Sequence, residues 1–169
     1  MALRRGLTLP AGLRFFPADR AAAVWATVLA VIGVCLFVAA LDLAFGAMLP
    51  AGYREFYTQP LWPRVLRSSL GAIEEELLYR LLLTTALAAL PMLWGKRAGT
   101  GWMAAAIVVA QLVNVHALVL LAPPWGMLRY WLVGCVWGWL YWRHGLVSAL
   151  IGHGMVHFAL DPLLLRLLA

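Results

Sequence analysis

Residues 70–94 read LGAIEEELLYRLLLTTALAALPMLW. As a helix this stretch is long and apolar enough to cross a hydrocarbon core of about 30 Å. Near its start, however, it carries Glu74, Glu75, Glu76 and Arg80. An ionised side chain inside a membrane costs roughly 2.5–3.5 kcal/mol on the insertion scale, so such residues are kept for function or for pairing. Glu76 and Arg80 are i,i+4, on one helix face, and can pair. That pair would hold Glu76 charged and fix the rotation of the helix. Glu75 is turned away by about 100° and can face a different space. Glu74, nearest the expected interface, reads as a charge favoured by a helix N-terminal dipole.

The rest of the chain shares this apolar character. Of 169 residues, 64% are hydrophobic and 12% charged, with a mean hydropathy of +0.88. A soluble domain is about 25% charged. The shortfall excludes a soluble globular enzyme, a disordered tail and a nucleic-acid module, and makes the lipid bilayer the first partner. The net charge of +6 comes largely from arginines at the ends of apolar runs, where they set topology and meet anionic headgroups. Cys35 and Cys135 lie inside apolar runs and form neither a disulfide framework nor a CxxC metal pattern.

The expected fold is all-α: one polytopic membrane bundle over residues 1–169, with about five transmembrane helices and an interfacial segment. A basic segment, 1–20, precedes spans at 21–41, 70–94, 102–121, 125–142 and 145–165. Residues 70–165 form the motif-bearing core. The first apolar run is longer than a signal-peptide h-region of roughly 7–15 residues, so it reads as a retained span. Residues 46–69, rich in proline, aromatics and arginine, should lie along the interface with a short amphipathic helix. Trp94, Trp102, Trp125 and Trp142 fall at span ends, as an aromatic belt requires. Arg129 is expected to snorkel near one end, and Asp42 and Asp161 to be solvated.

A cytoplasmic N-terminus puts Arg4, Arg5, Arg14, Arg20, Lys96, Arg97 and Arg143 inside, against Arg54, Arg64, Arg67, Arg129 and Arg166 outside. The positive-inside bias favours that orientation.

The ionisable groups share one depth. Glu75 sits roughly 9 Å into the second span, His116 roughly 8 Å from the end of the third, and His153 and His157 roughly 12–18 Å from the end of the fifth. In an up-down bundle those ends face one side, the extracytoplasmic one. His153 and His157 are i,i+4 and project together. Gly152 and Gly154 flank His153 and permit a close approach. A carboxylate beside imidazoles in a low-dielectric pocket is a general-base arrangement. The base takes a proton from water, the water attacks a peptide carbonyl, and imidazoles hydrogen-bond the oxyanion. His144, in a cationic turn, reads as interfacial.

Glu75-Glu76-Leu77-Leu78-Tyr79-Arg80 reads EExxxR, Leu112 to His116 reads LxxxH, and His153 to His157 reads HxxxH. In order and spacing these motifs, over residues 70–160, resemble those of the CPBP family of intramembrane proteases, also called the Abi or CAAX-protease family, which includes the Rce1-type prenyl-protein endopeptidases. The resemblance implies that Glu75 is the catalytic base and His116 its partner in activating water. It implies that His153 and His157 form the oxyanion site, that Glu76 and Arg80 support the architecture, and that no metal is needed. Leu112 stands where the family has phenylalanine, a packing change. His157 stands where it has Asn or Asp, which changes the oxyanion donor and creates an HxxxH pair with zinc-ligand spacing. A zinc-dependent version, with Glu75, His116, His153 and His157 as ligands, is therefore the alternative.

An outward-facing site fits the short bacterial relatives that are myxosortase-like or exosortase-like in role. It implies an inner-membrane enzyme whose partner is a membrane-anchored or C-terminally tagged protein, cut at the sorting signal of an exported chain. Two readings from other classes stand beside it. One is a metal or proton carrier using the same four residues, which the lack of an inverted repeat disfavours. The other is a non-catalytic immunity or scaffold protein.

Overall fold

A computed structural model describes residues 13–121 and 124–168. Among these, six helices account for nearly everything. They are α1 (Arg20–Ala44), α2 (Ala51–Thr58), α3 (Leu61–Trp94), α4 (Thr100–Leu121), α5 (127–144) and α6 (Leu146–Leu168). The fold is an all-α membrane bundle, as its composition requires. Residues Arg20–Ala44, Leu61–Trp94 and Leu146–Leu167 are each long and apolar enough to span a bilayer. α4 and α5 supply helices at the other two expected spans. Of the basic N-terminal segment, residues 1–12 lie outside the described residues.

Local chemistry sets the helix ends. Asp19 caps α1 by accepting the Ala22 N–H at 3.1 Å. Pro60 immediately precedes α3, where its missing N–H costs nothing. Gly95, at φ 66°, stops α3 in the left-handed conformation, and the Lys96 N–H closes on the Pro91 carbonyl at 3.0 Å. Gly145, at φ 92°, makes the one-residue turn between α5 and α6. A Cβ there would come within 3.0 Å of the Phe15 carbonyl oxygen.

α6 is the centre of the bundle, packed against α1, α3 and α5. Its pairings with α3 run antiparallel: Arg64 meets Asp161, and Ser69 meets the Gly154 carbonyl. Gly152 sits against Trp137, Leu140 and Thr27; there the absent side chain permits the expected close approach. Gly154 has open space around it. α5 approaches α4 through Gly138, where a Cβ would fall 2.4 Å from Ile107. The outward faces keep Trp25, Leu29, Leu36, Leu66, Leu82 and Leu93 exposed. An apolar surface of this extent is covered by lipid.

Several expectations are corrected here. The second span does not begin at residue 70: the helix runs unbroken from Leu61, because no proline falls between Pro63 and Pro91 to interrupt it. Only α2 remains of the interfacial segment. Glu75 therefore lies about 21 Å from the start of its helix, not 9 Å. Glu74 is exposed in mid-helix rather than at an N-terminus. Arg129 does not snorkel, Asp42 and Asp161 are not solvated, and Trp125 is not a belt residue; all four are buried.

The backbone departs from α geometry at two places. Glu76–Thr84 in α3 and Met127–Leu132 in α5 are π-helical. The wider turn exposes carbonyls that side chains then satisfy. Thr84 Oγ1 donates to the Tyr79 carbonyl at 2.6 Å and Thr85 Oγ1 bonds the Arg80 carbonyl at 3.3 Å. The Thr85 and Tyr141 hydroxyls are 2.7 Å apart, which ties α3 to α5.

Candidate active site

Four carboxylates lie within the helical bundle near one another, and three have an arginine. Arg80 Nε is 3.4 Å from Glu76 Oε1, Arg64 Nε 3.4 Å from Asp161 Oδ2, and Arg129 Nη1 3.8 Å from Asp42 Oδ2. The expected Glu76–Arg80 pair is thus formed and fully interior. Each guanidinium has further work. Arg80 Nη2 donates to the Gly134 carbonyl at 2.9 Å. Arg64 Nη1 donates to the carbonyls of Tyr57 at 2.9 Å and Gln59 at 2.8 Å, which fastens the end of α2 to α3. Arg129 Nη2 donates to the Tyr57 hydroxyl at 3.2 Å and lies over the rings of Tyr53, Trp125 and Tyr130. Asp42 also accepts from the Tyr53 hydroxyl, and from Trp125 Nε1 at 2.9 Å. Burial pushes the Tyr53 hydroxyl above its ordinary range, so it stays a donor. Desolvating such charges is costly unless they are paired; Glu76 and Arg80 pair within α3, the other two pairs join separate helices, and Glu76 Oε2, Arg80 Nη1 and Arg129 Nε are left without a hydrogen-bond partner.

Glu75 is the exception. Among the described residues it has no cationic partner; its one side-chain bond is from Asn114 Nδ2, 2.8 Å from Oε2. It is half-buried and lines a cavity of about 230 Å³ together with Asn114, Gln111, Arg129, His153 and His157. That volume is ample for water, and the walls supply the polar contacts a buried water needs.

Both imidazoles of the HxxxH pair reach this cavity, their ring centres 5.8 Å apart. His153 Nδ1 is 2.9 Å from Glu76 Oε1, and its ring stacks on Trp137 at 5.5 Å. His157 Nδ1 is 3.4 Å from Asp161 Oδ1. Glu76 and Asp161 are the arginine-paired carboxylates, so each accepts a hydrogen bond from the Nδ1–H of its histidine. The other ring nitrogen of each is then the one available to the cavity.

His116 is not brought to this group. It is exposed, its Nδ1 lies 2.8 Å from the carbonyl of Val113 on its own helix, and it does not line the cavity. Asn114, two residues earlier, faces Glu75 instead. Two residues turn a helix by about 200°, so one of the two faces in and the other out. Among the described residues no three His, Cys, Asp or Glu side chains gather closely enough to hold a metal ion. The zinc alternative needs His116 beside Glu75, so this donor set does not fit it.

A second chamber of about 460 Å³ adjoins the first and is walled by Tyr53, Phe56, Tyr57, Trp125, Arg129, Tyr130 and His157. Arg129, Tyr130 and His157 border both. Sequence reading passed over Arg129 and Asp161 because each falls near a span end. Asn114 and Gln111, uncharged and inside an apolar run, did not stand out. Their one available signal was proximity in depth to Glu75.

The model of the family described as type II CAAX prenyl endopeptidase Rce1-like matches residues 56–159. No curated protein and no solved structure matches the chain. The matched segment takes in the unpaired Glu75, the buried Glu76–Arg80 lock and the HxxxH pair on α6, so the chain belongs to the Rce1-like family of type II CAAX prenyl endopeptidases and is an integral membrane protein of the CAAX-type intramembrane protease kind.

Proposed function

We propose that the protein hydrolyses a peptide bond in a membrane-anchored or C-terminally tagged protein, with Glu75 as the base that takes a proton from water and no step routed through a metal. One observation carries this reading. Among the described residues, Glu75 is the one carboxylate inside the bundle without an arginine, and the one that lines the cavity shared by both histidines. A carboxylate neutralised by a guanidinium is a poor proton acceptor; one held only by an amide keeps its lone pairs for water. Asn114 orients the carboxylate. His153, fixed by Glu76 and stacked on Trp137, takes the water-orienting place that the resemblance gave to His116. The Arg129 guanidinium borders the same space and is suited to meet developing negative charge on the carbonyl oxygen.

The substrate we favour is the C-terminal sorting signal of an exported protein, processed at a bacterial inner membrane from the extracytoplasmic half. The Arg64–Asp161 and Arg129–Asp42 pairs lie toward the ends of α1 and α6 and the beginnings of α3 and α5, one side of the bundle, with Glu75, Glu76 and His153 nearer its middle. Burial of Arg64 and Arg129 in ion pairs removes them from the outer charge count, which leaves Arg54, Arg67 and Arg166. That strengthens the positive-inside argument for a cytoplasmic N-terminus. The whole chain, 1–169, acts as one membrane protease domain in this reading.

The test is cleavage of a lipid-anchored, C-terminally tagged reporter by purified protein in lipid nanodiscs. Glu75→Gln is expected to lower the rate by about 10²–10⁴-fold, the range for loss of a general base. Undiminished cleavage would overturn the assignment.

A further inference from the structure

We infer that His157 is the proton donor to the leaving amine, held for that task by a buried Asp161–Arg64 pair, rather than a donor to the oxyanion. The inference rests on Glu75 being the base. Asp161 is buried and paired with Arg64, and its Oδ1 lies 3.4 Å from His157 Nδ1, where it accepts a hydrogen bond from the ring N–H. This fixes the ring so that Nε2 is the atom presented to the open space. Nε2 of an imidazole can carry either a lone pair or an N–H, so this side chain is chemically able to deliver a proton and be reloaded, which the side-chain amide of an asparagine cannot do.

Position separates His157 from His153. Both have a carboxylate and an arginine behind them, but only His157 borders the Glu75 cavity and the aromatic chamber together. A peptide whose carbonyl faces Glu75 and whose amine side enters the aromatic chamber places its scissile nitrogen at that boundary. The charged and titratable groups around His157 are Asp161 on its own helix, Arg64 behind that carboxylate, His153 one turn away, Glu75 across the cavity, and Arg129 and Tyr57 at the chamber wall.

The step balances. Water forms the new O–C bond and its proton passes to Glu75. The imidazolium form of His157 gives its Nε2 proton to the nitrogen as the C–N bond breaks. The proton on Glu75 returns to His157, restoring both groups, and the net change is water plus amide to acid plus amine.

The experiment compares the lipid-anchored reporter peptide with its depsipeptide, in which the mapped scissile amide is an ester. An alkoxide leaves without prior protonation far more readily than an amide nitrogen does. His157→Asn keeps a hydrogen-bond donor but cannot carry a proton. It is expected to lose about 100-fold on the amide and less than about 10-fold on the ester. Asp161→Asn should show the same amide-selective loss, a split that a purely structural defect would not produce. Thermal melting in nanodiscs verifies that both variants are folded; if Asp161→Asn is not, His157→Asn decides. Equal losses on the two substrates, or full activity of His157→Asn on the amide, overturn the proposal. Glu75→Gln should fail on both substrates; if it retains full activity, the base assignment falls and this proposal with it, whereas the His157 outcomes bear on this proposal alone.

Discussion

Glu75 and Glu76 are adjacent in the chain and sit in opposite worlds. The Glu76 face of α3 is dry, closed by Arg80 and His153, and its carboxylate is fully buried. The Glu75 face opens on a cavity large enough for water and, among the described residues, its carboxylate meets only an amide. The difference teaches how a membrane bundle can carry several charges and still leave one accessible. Charges between packed elements are neutralised in pairs; the carboxylate proposed above as the base is the one left without a counter-ion and given space for water. The Arg64–Asp161 and Arg129–Asp42 pairs repeat the Glu76 pattern between other helices.

Substitutions that exchange these roles test the contrast. The largest expected effect is functional: Glu75→Gln should remove about 10²–10⁴-fold of activity while leaving thermal stability within about 0.5 kcal/mol, since no buried charge loses a partner. Cleavage assays and melting of the same preparation read both quantities. Next comes the reverse phenotype. Arg80→Met or Arg64→Met strands a buried carboxylate and should cost about 3–5 kcal/mol of stability, visible as reduced folded yield and an earlier melting transition. If Arg80→Met melts like wild type, the dry face is not the structural lock described.

Asn114→Ala removes the one group that positions Glu75. A hydrogen bond to a charged group is worth about 1.5–3 kcal/mol, so kcat should fall about tenfold or more with KM little changed. The smallest effect is expected at His116. Because it is exposed and bonded within its own helix, His116→Ala should stay within about threefold of wild-type activity, as a surface substitution would. A loss matching that of Glu75→Gln would instead mean that α4 turns His116, and not Asn114, toward the base.

Much of this was legible in the chain. The paucity of charge forced a membrane bundle, and the i,i+4 spacings of Glu76 with Arg80 and His153 with His157 put each pair on one face before any packing was considered. Gly152 between facing helices was legible for the same reason. The start of α3 was not, because prolines and arginines in 60–67 resemble an interfacial loop; in the fold Pro60 caps the helix, Pro63 sits in its first turn and Arg64 is consumed by Asp161. Nor was the π-helical stretch, whose Tyr79 and Arg80 carbonyls are taken up by Thr84 and Thr85 of the same helix, since neither threonine stands out in the apolar pattern.

The sequence by itself determined that this protein lives in lipid, and that glutamates and histidines inside it must either pair or react, since hydrocarbon offers no other means of stabilising them. Only the tertiary structure decided which did which. α4 is apolar nearly all round, so no pattern along it distinguishes the face that carries Asn114 from the face that carries His116. The burial of Asp42, Asp161 and Arg129 depends likewise on cations and carboxylates far apart in the chain coming together, and sequence distance carries no record of that meeting.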